Sequence, residues 1–126
     1  MNYLAHLYLA GEEEALIVGN FIADSVKGSH YKNYPERIAH GILMHREIDF
    51  FSDKHPSYLK SAHRVSTQHG KFSGVIIDMF YDYMLASNWA KYSDIPLEEF
   101  TQKVYAILHN HSAAMPEKSH YTTIYE

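Results

Sequence analysis

Two short segments place acidic and imidazole side chains one helical turn apart within apolar surroundings. His45 and Asp49 lie in GILMHREIDFF, and Asp78 and Asp82 lie in GVIIDMFYDYML. Because residues four apart share one face of a helix, each pair presents two potential ligand groups in one direction. Asp24 follows the apolar run ALIVGNFIA and is equally out of place. Ionised carboxylates in apolar surroundings are costly unless they are paired, hydrogen-bonded or bound to a cation, so the pattern predicts a metal site.

The residue types also indicate which metal and which reaction. Oxygen-rich sites with one or two imidazoles favour Mn²⁺, Mg²⁺ or Fe²⁺ over structural zinc. Such ions serve phosphoester hydrolysis, because a bound ion polarises a phosphoryl oxygen and lowers the pKa of its water. A neighbouring Asp or His can accept the proton, while Arg or Lys neutralises charge on the phosphate. Arg46 and Lys27 stand beside the candidate ligands in the sequence and are the candidate phosphate contacts.

Each of these residues also has a purely structural interpretation. His45 could be a core histidine bonded to a carbonyl, and Asp49 could pair with Arg46 in its own helix. Asp78 could bridge helices through salt bridges, and Asp82 could face solvent. One shared cause explains all of them more simply than separate coincidences do, so we favour the metal centre.

The N-terminal segment MNYLAHLYLA carries a further imidazole among leucines. His6 is either a metal ligand or a core histidine with satisfied hydrogen bonds, and the pattern leaves both open. Asn2 is a candidate cap for the helix that carries His6.

The elements that must position these side chains are predicted to be helices throughout. No stretch longer than a few residues alternates as a half-buried strand would. Pro35, Pro56 and Pro96 fit first helical turns, and Gly28 and Gly70 fit helix ends. The predicted helices lie near residues 2 to 10, 12 to 27, 35 to 52, 56 to 69, 72 to 92 and 96 to 112.

Composition narrows the class of protein. The chain has 126 residues, about one domain, and 46% are hydrophobic, which excludes a disordered chain. The absence of cysteine removes disulfides, thiolate catalysis and cysteine zinc sites. A net charge of −4 gives no electrostatic support for nucleic-acid binding. With no signal peptide and no membrane-spanning apolar run, we expect a cytoplasmic protein.

One stretch is positive although the protein as a whole is acidic. No acidic residue occurs between Asp53 and Asp78. The basic residues of this stretch are Lys54, Lys60, Arg64 and Lys71. They form either an ordinary solvated helix face or a docking surface for an acidic partner or a phosphate.

Four segments, in this order, resemble the acyl carrier protein phosphodiesterase family, a divergent relative of the HD-domain phosphohydrolases. They are MNYLAHLYLA, GNFIADSVKG, GILMHREIDFFSD and DMFYDYMLASNWAKYSDIPLEEF, which together extend over about the first hundred residues. The resemblance implies an all-α, HD-domain-like fold in a single compact multi-helix domain. It also implies hydrolysis of the phosphodiester of holo-acyl carrier protein to the apo-protein and 4′-phosphopantetheine, with Mn²⁺ as cofactor and Mg²⁺ as a possible substitute.

The same resemblance assigns roles to the singled-out residues. Asp24 becomes the strongest catalytic or metal-binding position, and the metal set comprises Asp24, His45, Asp49, Asp78 and His6. Asp82 joins Asp24 as a catalytic candidate, in addition to Arg46 and Lys27, which their positions in the sequence had already indicated. Because acyl carrier proteins are acidic, the basic stretch becomes their candidate docking surface.

The chain departs from the family pattern in two places. Tyr83 follows Asp82 where family members often have histidine, and the chain is shorter than typical members, which continue through further C-terminal helices. The polar tail 112–126 is compatible with an extended arm, a truncated helix or a disordered segment. Two other functions therefore remain open: an HD-like phosphohydrolase of nucleotides or another small phosphodiester, and a non-catalytic helical binding protein. The oligomeric state is open as well.

Overall fold

The prediction of an all-α fold is confirmed by the computed structural model, which describes residues 1–116 apart from the side chains of residues 67 and 69. These residues form six α-helices joined by short 3₁₀ turns and contain no β-strand. The helices are α1 (Tyr3–Leu9), α2 (Glu14–Ile22), α3 (Glu36–Asp53), α4 (Pro56–His69), α5 (Ser73–Ser87) and α6 (Leu97–Asn110). The last part of the predicted tail, residues 117–126, lies outside the described residues.

Local sequence signals account for most helix ends. Pro56 is the first residue of α4, and Gly70 ends that helix with a φ of 52°, a left-handed conformation that favours glycine. Two predicted helices end early. The helix predicted over 12–27 stops at Ile22 and continues as a 3₁₀ turn through Ser25, and the one predicted over 72–92 stops at Ser87. Asp, Ser and Asn compete for backbone hydrogen bonds near both ends, which favours turns over continued helix.

The closest helix crossing joins α2 to α3 through two glycines. A Cβ atom on Gly19 would lie 2.3 Å from the carbonyl oxygen of Ile38 and 2.7 Å from Cα of Gly41. Side chains therefore cannot separate the two backbones at this point. Asp24 follows α2 by two residues and His45 lies one turn beyond Gly41, so this crossing brings the two together.

The hydrophobic core packs around α2, α3 and α6. Its buried members are Ala10, Ile17, Val18, Ile22, Ala23, Val26, Ile38, Ile42, Val104, Ile107, Leu108 and Met115. None of these members lies on α4 or α5, and Ile77 is the one buried residue of α5. Among the described residues, no helix combines the length and the apolar character that crossing a membrane requires.

Candidate metal centre

Two buried imidazoles, His6 of α1 and His45 of α3, meet the carboxylate of Asp49, which also belongs to α3. His6 Nε2 lies 2.9 Å from Asp49 Oδ1, and His45 Nε2 lies 3.3 Å from Asp49 Oδ2. The two imidazole rings stack with their centroids 3.6 Å apart. One ligand atom from each of the three side chains lies within 4.8 Å of the others. This set, His6, His45 and Asp49, is hereafter the triad.

Asp24 stands at the edge of the triad. Its carboxylate Oδ1 lies 3.3 Å from His45 Nε2, while 74% of the side chain is exposed. The expectation that Asp24 lies in apolar surroundings is therefore wrong, because the turn after α2 carries it to the surface. A carboxylate in this position contacts both the triad and solvent.

Charge balance within the site shifts several pKa values. Burial would lower the pKa of His45, but the carboxylates of Asp24 and Asp49 outweigh it and raise the pKa to about 9. Burial would raise the pKa of Asp49, but contacts with His45, His6 and the α-amino group of Met1 hold it well below its ordinary value. His45 also lowers the pKa of Asp24 against a smaller opposing effect of burial. The two carboxylates are therefore ionised at neutral pH.

A cleft of about 380 Å³ continues from the triad towards α5 and is rich in carboxylates. Its lining includes Asp24, Asp49, Asp53 and Asp78. The α-amino group of Met1 lies 3.1 Å from Asp49 Oδ1 and 3.5 Å from Asp78 Oδ1. Burial raises the pKa of Asp78 although the nearby ammonium opposes the shift.

These residues fit a divalent cation. The triad supplies two imidazole nitrogens and carboxylate oxygens at mutual distances that one ion can bridge. Asp78 Oδ1 is buried, and its neighbour of opposite charge among the described residues is the ammonium of Met1, at 3.5 Å and without a hydrogen bond, so a cation could also satisfy this oxygen. The cleft already attracts the positive charge of Met1.

The predicted residues Asp82 and Arg46 make other contacts. Asp82 accepts hydrogen bonds from the backbone N–H groups of Leu4 and Ala5, at 2.9 and 3.0 Å. Thus Asp78 and Asp82 do not act as one pair, although they lie one turn apart on α5. Asn2, the predicted cap of α1, makes no capping bond with its side chain.

Arg46 holds the loop that follows Asp24. Its guanidinium donates to the carbonyl oxygens of Gly28 and Val26, at 2.9 and 3.0 Å, and lies over the ring of Tyr31. Lys27, the other predicted phosphate contact, is exposed in the same loop. The four predicted docking residues Lys54, Lys60, Arg64 and Lys71 are all exposed.

Sequence reasoning missed the three cleft members Met1, Asp53 and Tyr58, which bring polar groups to its lining. Asp53 follows Asp49 by one helical turn, so the same spacing that identified His45 and Asp49 could have found it. Met1 and Tyr58 carried no comparable signal. Both also line an apolar cavity of about 710 Å³ beside the cleft, so the acidic and apolar cavities share a boundary.

The fold and the site together define an all-helical protein with a candidate divalent-metal centre of two histidines and an aspartate. The family model described as acyl carrier protein phosphodiesterase matches residues 1–125. The chain belongs to this family.

Three curated relatives carry the same family name. The acyl carrier protein phosphodiesterase of Escherichia coli O45:K1 is 35% identical over 102 residues, which are 80% of this chain and 53% of that protein. The one from Klebsiella pneumoniae is 36% identical over 103 residues, or 81% and 53% of the two chains. The one from Photorhabdus laumondii is 35% identical over 91 residues, or 72% and 46%.

The chain therefore spans about half the length of the curated relatives that it matches. No solved structure matches it. The HD-domain-like arrangement stays a prediction from the sequence.

Proposed function

We propose that this protein hydrolyses the phosphodiester that joins 4′-phosphopantetheine to the serine of holo-acyl carrier protein. The observation that carries the proposal is the triad at the head of an acidic cleft in a chain of this family. Water attacks phosphorus, the bond from phosphorus to the serine oxygen breaks, and that oxygen takes up a proton. The products are apo-carrier protein and 4′-phosphopantetheine.

The triad would hold one Mn²⁺ ion, with Mg²⁺ or Fe²⁺ as substitutes, through His6, His45 and Asp49. When bound, such an ion supplies Lewis-acid polarisation of a phosphoryl oxygen and an acidified water. Asp78, which lines the same cleft, offers an additional oxygen.

Asp24 is the proposed proton acceptor and an additional metal ligand. Its lowered pKa keeps it ionised at neutral pH, and its exposure lets it reach water at the mouth of the site. Lys27, exposed three residues later, is the proposed phosphate contact. Arg46 supports the same loop through its bonds to the carbonyl oxygens of Val26 and Gly28.

The shape of the surroundings supports an organic phosphodiester as substrate. Met44, Ile48 and Phe51 line the apolar cavity that adjoins the cleft at Met1 and Tyr58. A volume of about 710 Å³ lies within the range of ligand cavities. A substrate with its phosphate in the cleft could extend its organic arm along this wall.

A direct test incubates purified holo-acyl carrier protein with the chain and Mn²⁺ and follows loss of the phosphopantetheine arm by mass spectrometry. Asp24→Ala should abolish turnover while circular dichroism stays unchanged. Asp94→Ala, at an exposed aspartate away from the cleft, is the matched control and should retain activity. Near-normal turnover by Asp24→Ala would refute the assignment. Turnover of nucleotides without release of phosphopantetheine would favour a small-substrate phosphohydrolase.

The acidic carrier is proposed to dock on the basic stretch. Lys60 and Arg64 lie one turn apart on α4 and are both exposed, so they present positive charge on one face. The double variant Lys60→Glu/Arg64→Glu should raise KM for the carrier more than it lowers kcat. Lys91→Glu, at another exposed lysine, should change neither. An unchanged KM and salt dependence in the double variant would contradict docking there.

A further inference from the structure

The first helix, α1, is too short to be stable without contacts from the rest of the fold. α1 has seven residues, and helices of this length are marginal without tertiary support. The first backbone N–H groups of any helix lack partners within the helix. Asn2 stands at the capping position but contributes no side-chain bond. The free N–H groups at this end of α1 therefore need an acceptor outside the helix, either water or a side chain from another element.

Asp82 provides that acceptor from α5. Its Oδ2 accepts from Leu4 N at 2.9 Å, and its Oδ1 accepts from Ala5 N at 3.0 Å. Hydrogen bonds to an ionised carboxylate are stronger than those between neutral groups, and a negative charge is favourable at a helix N-terminus. Two bonds to consecutive amides fix both the position of α1 along its axis and its rotation about that axis.

The residue that follows these two amides is His6. Its side chain is buried, its Nε2 lies 2.9 Å from Asp49, and its ring stacks on His45. Successive residues of a helix point about 100° apart, so a small rotation of α1 would move the imidazole away from both partners. The orientation of α1 therefore decides whether His6 reaches the triad.

We propose that Asp82 is a positioning residue that caps α1 and so holds His6 in the metal centre. The inference rests on the metal centre that the proposed function uses, and it divides the two aspartates of α5 between two tasks. Asp78 lines the cleft itself, whereas Asp82 fixes the helix that carries a ligand. No direct contact between Asp82 and the ion or the substrate is needed.

The test measures Mn²⁺ affinity by titration calorimetry in Asp82→Ala, Asp82→Asn and the control Asp94→Ala. Removing a residue that orients a ligand typically weakens metal binding by about 10- to 100-fold. Asp82→Ala should show such a loss, and Asp82→Asn, which keeps one acceptor oxygen, should show a smaller one. Asp94→Ala should bind as the unchanged protein does.

A double-variant cycle separates positioning from general destabilisation. If Asp82 acts through His6, then His6→Ala and His6→Ala/Asp82→Ala should bind Mn²⁺ equally weakly, because the second change has nothing left to misplace. The proposal would be overturned if the two changes weakened Mn²⁺ binding independently, so that their fold losses multiplied in the double variant. Full Mn²⁺ affinity in Asp82→Ala would overturn it as well. Urea unfolding of each variant checks the fold, and the milder Asp82→Asn carries the comparison if Asp82→Ala does not fold.

Failure of the Asp82 proposal can be distinguished from failure of the proposed function. If the protein binds Mn²⁺ but leaves holo-acyl carrier protein intact, the proposed reaction is refuted. The double-variant cycle of Mn²⁺ affinities still tests the role of Asp82. If the protein binds no Mn²⁺, the proposed metal centre is refuted. The imidazole ¹H–¹³C NMR signal of His6 in the metal-free chain then tests whether Asp82 positions His6. That signal should shift in Asp82→Ala and not in Asp94→Ala, and an unshifted signal would overturn the proposal.

Discussion

Two parts of the fold, a first half built on α2 and α3 and a second half built on α4 and α5, differ sharply in how tightly their helices are packed. At the crossing of α2 and α3, backbones touch through Gly19 and Gly41, and Ile42 is fully buried. The hairpin of α4 and α5 exposes more large apolar side chains, namely Leu59, Phe72, Val75, Met79, Phe80, Tyr83 and Met84, whereas α3 exposes Leu43, Phe50 and Phe51. His45 and Asp49 come from the tightly packed half, and Asp78 comes from the exposed one. We infer that the first half provides rigid ligands and the second contributes a less constrained wall.

The largest expected difference between the halves comes from removing apolar volume. Ile42→Ala should lower the free energy of unfolding by about 2 to 5 kcal/mol, because it opens a cavity in the core. Met79→Ala, at a side chain 59% exposed on α5, should change it by less than about 0.5 kcal/mol. Urea unfolding measures both. Equal losses would show that α5 is packed as firmly as α3.

Adding a methyl group should reveal the same contrast. Gly19→Ala places Cβ against the backbone of α3 and should cost about 1 to 3 kcal/mol of unfolding free energy. In Gly74→Ala on α5, the added Cβ meets only the hydroxyl of Tyr58, at 3.1 Å. Alanine favours a helix over glycine by about 1 kcal/mol, so we expect little net change in the free energy of unfolding. The same urea experiment applies. If Gly19→Ala were as stable as the unchanged protein, the close crossing would be refuted.

A smaller and pH-dependent effect should be confined to the tight half in the metal-free chain. Because the pKa of His45 is raised from 6.5 to about 9, its stabilisation is complete below pH 6.5 and is lost as pH rises through about 9. We expect a loss on the order of 1 to 2 kcal/mol, visible as lower protection factors of the α3 amides after correction for the intrinsic rise of exchange with pH. His45→Gln is the control and should remove this dependence. The same loss in that variant would assign it to another group.

The sequence predicted the helices well where a local signal marks their ends. Pro56 and Gly70 delimit α4 as expected, because their effects on the backbone need no distant partner. The early end of α2 at Ile22 was missed, since the long apolar run outweighed the turn signal of Asp24 and Ser25 that follows it. The contact between His45 and Asp49 follows from their spacing within one helix.

The rest of the site depends on contacts between distant segments. His6 and Asp49 are 43 positions apart, so their meeting depends on how α1 packs against α2 and α5. Asp78 and Asp82 look equivalent in sequence, yet one lines the cleft and the other caps α1. What a carboxylate does is decided by the group that faces it, and spacing within one helix cannot supply that information.

The central claim is that His6, His45 and Asp49 bind one divalent ion. Titration calorimetry of the metal-free protein with Mn²⁺ tests it most directly, with His45→Ala beside the exposed histidine variant His63→Ala as control. The account predicts one ion bound per chain by the unchanged protein and by His63→Ala, and none by His45→Ala at the same concentration. Full binding by His45→Ala, or no binding by the unchanged protein, would contradict it.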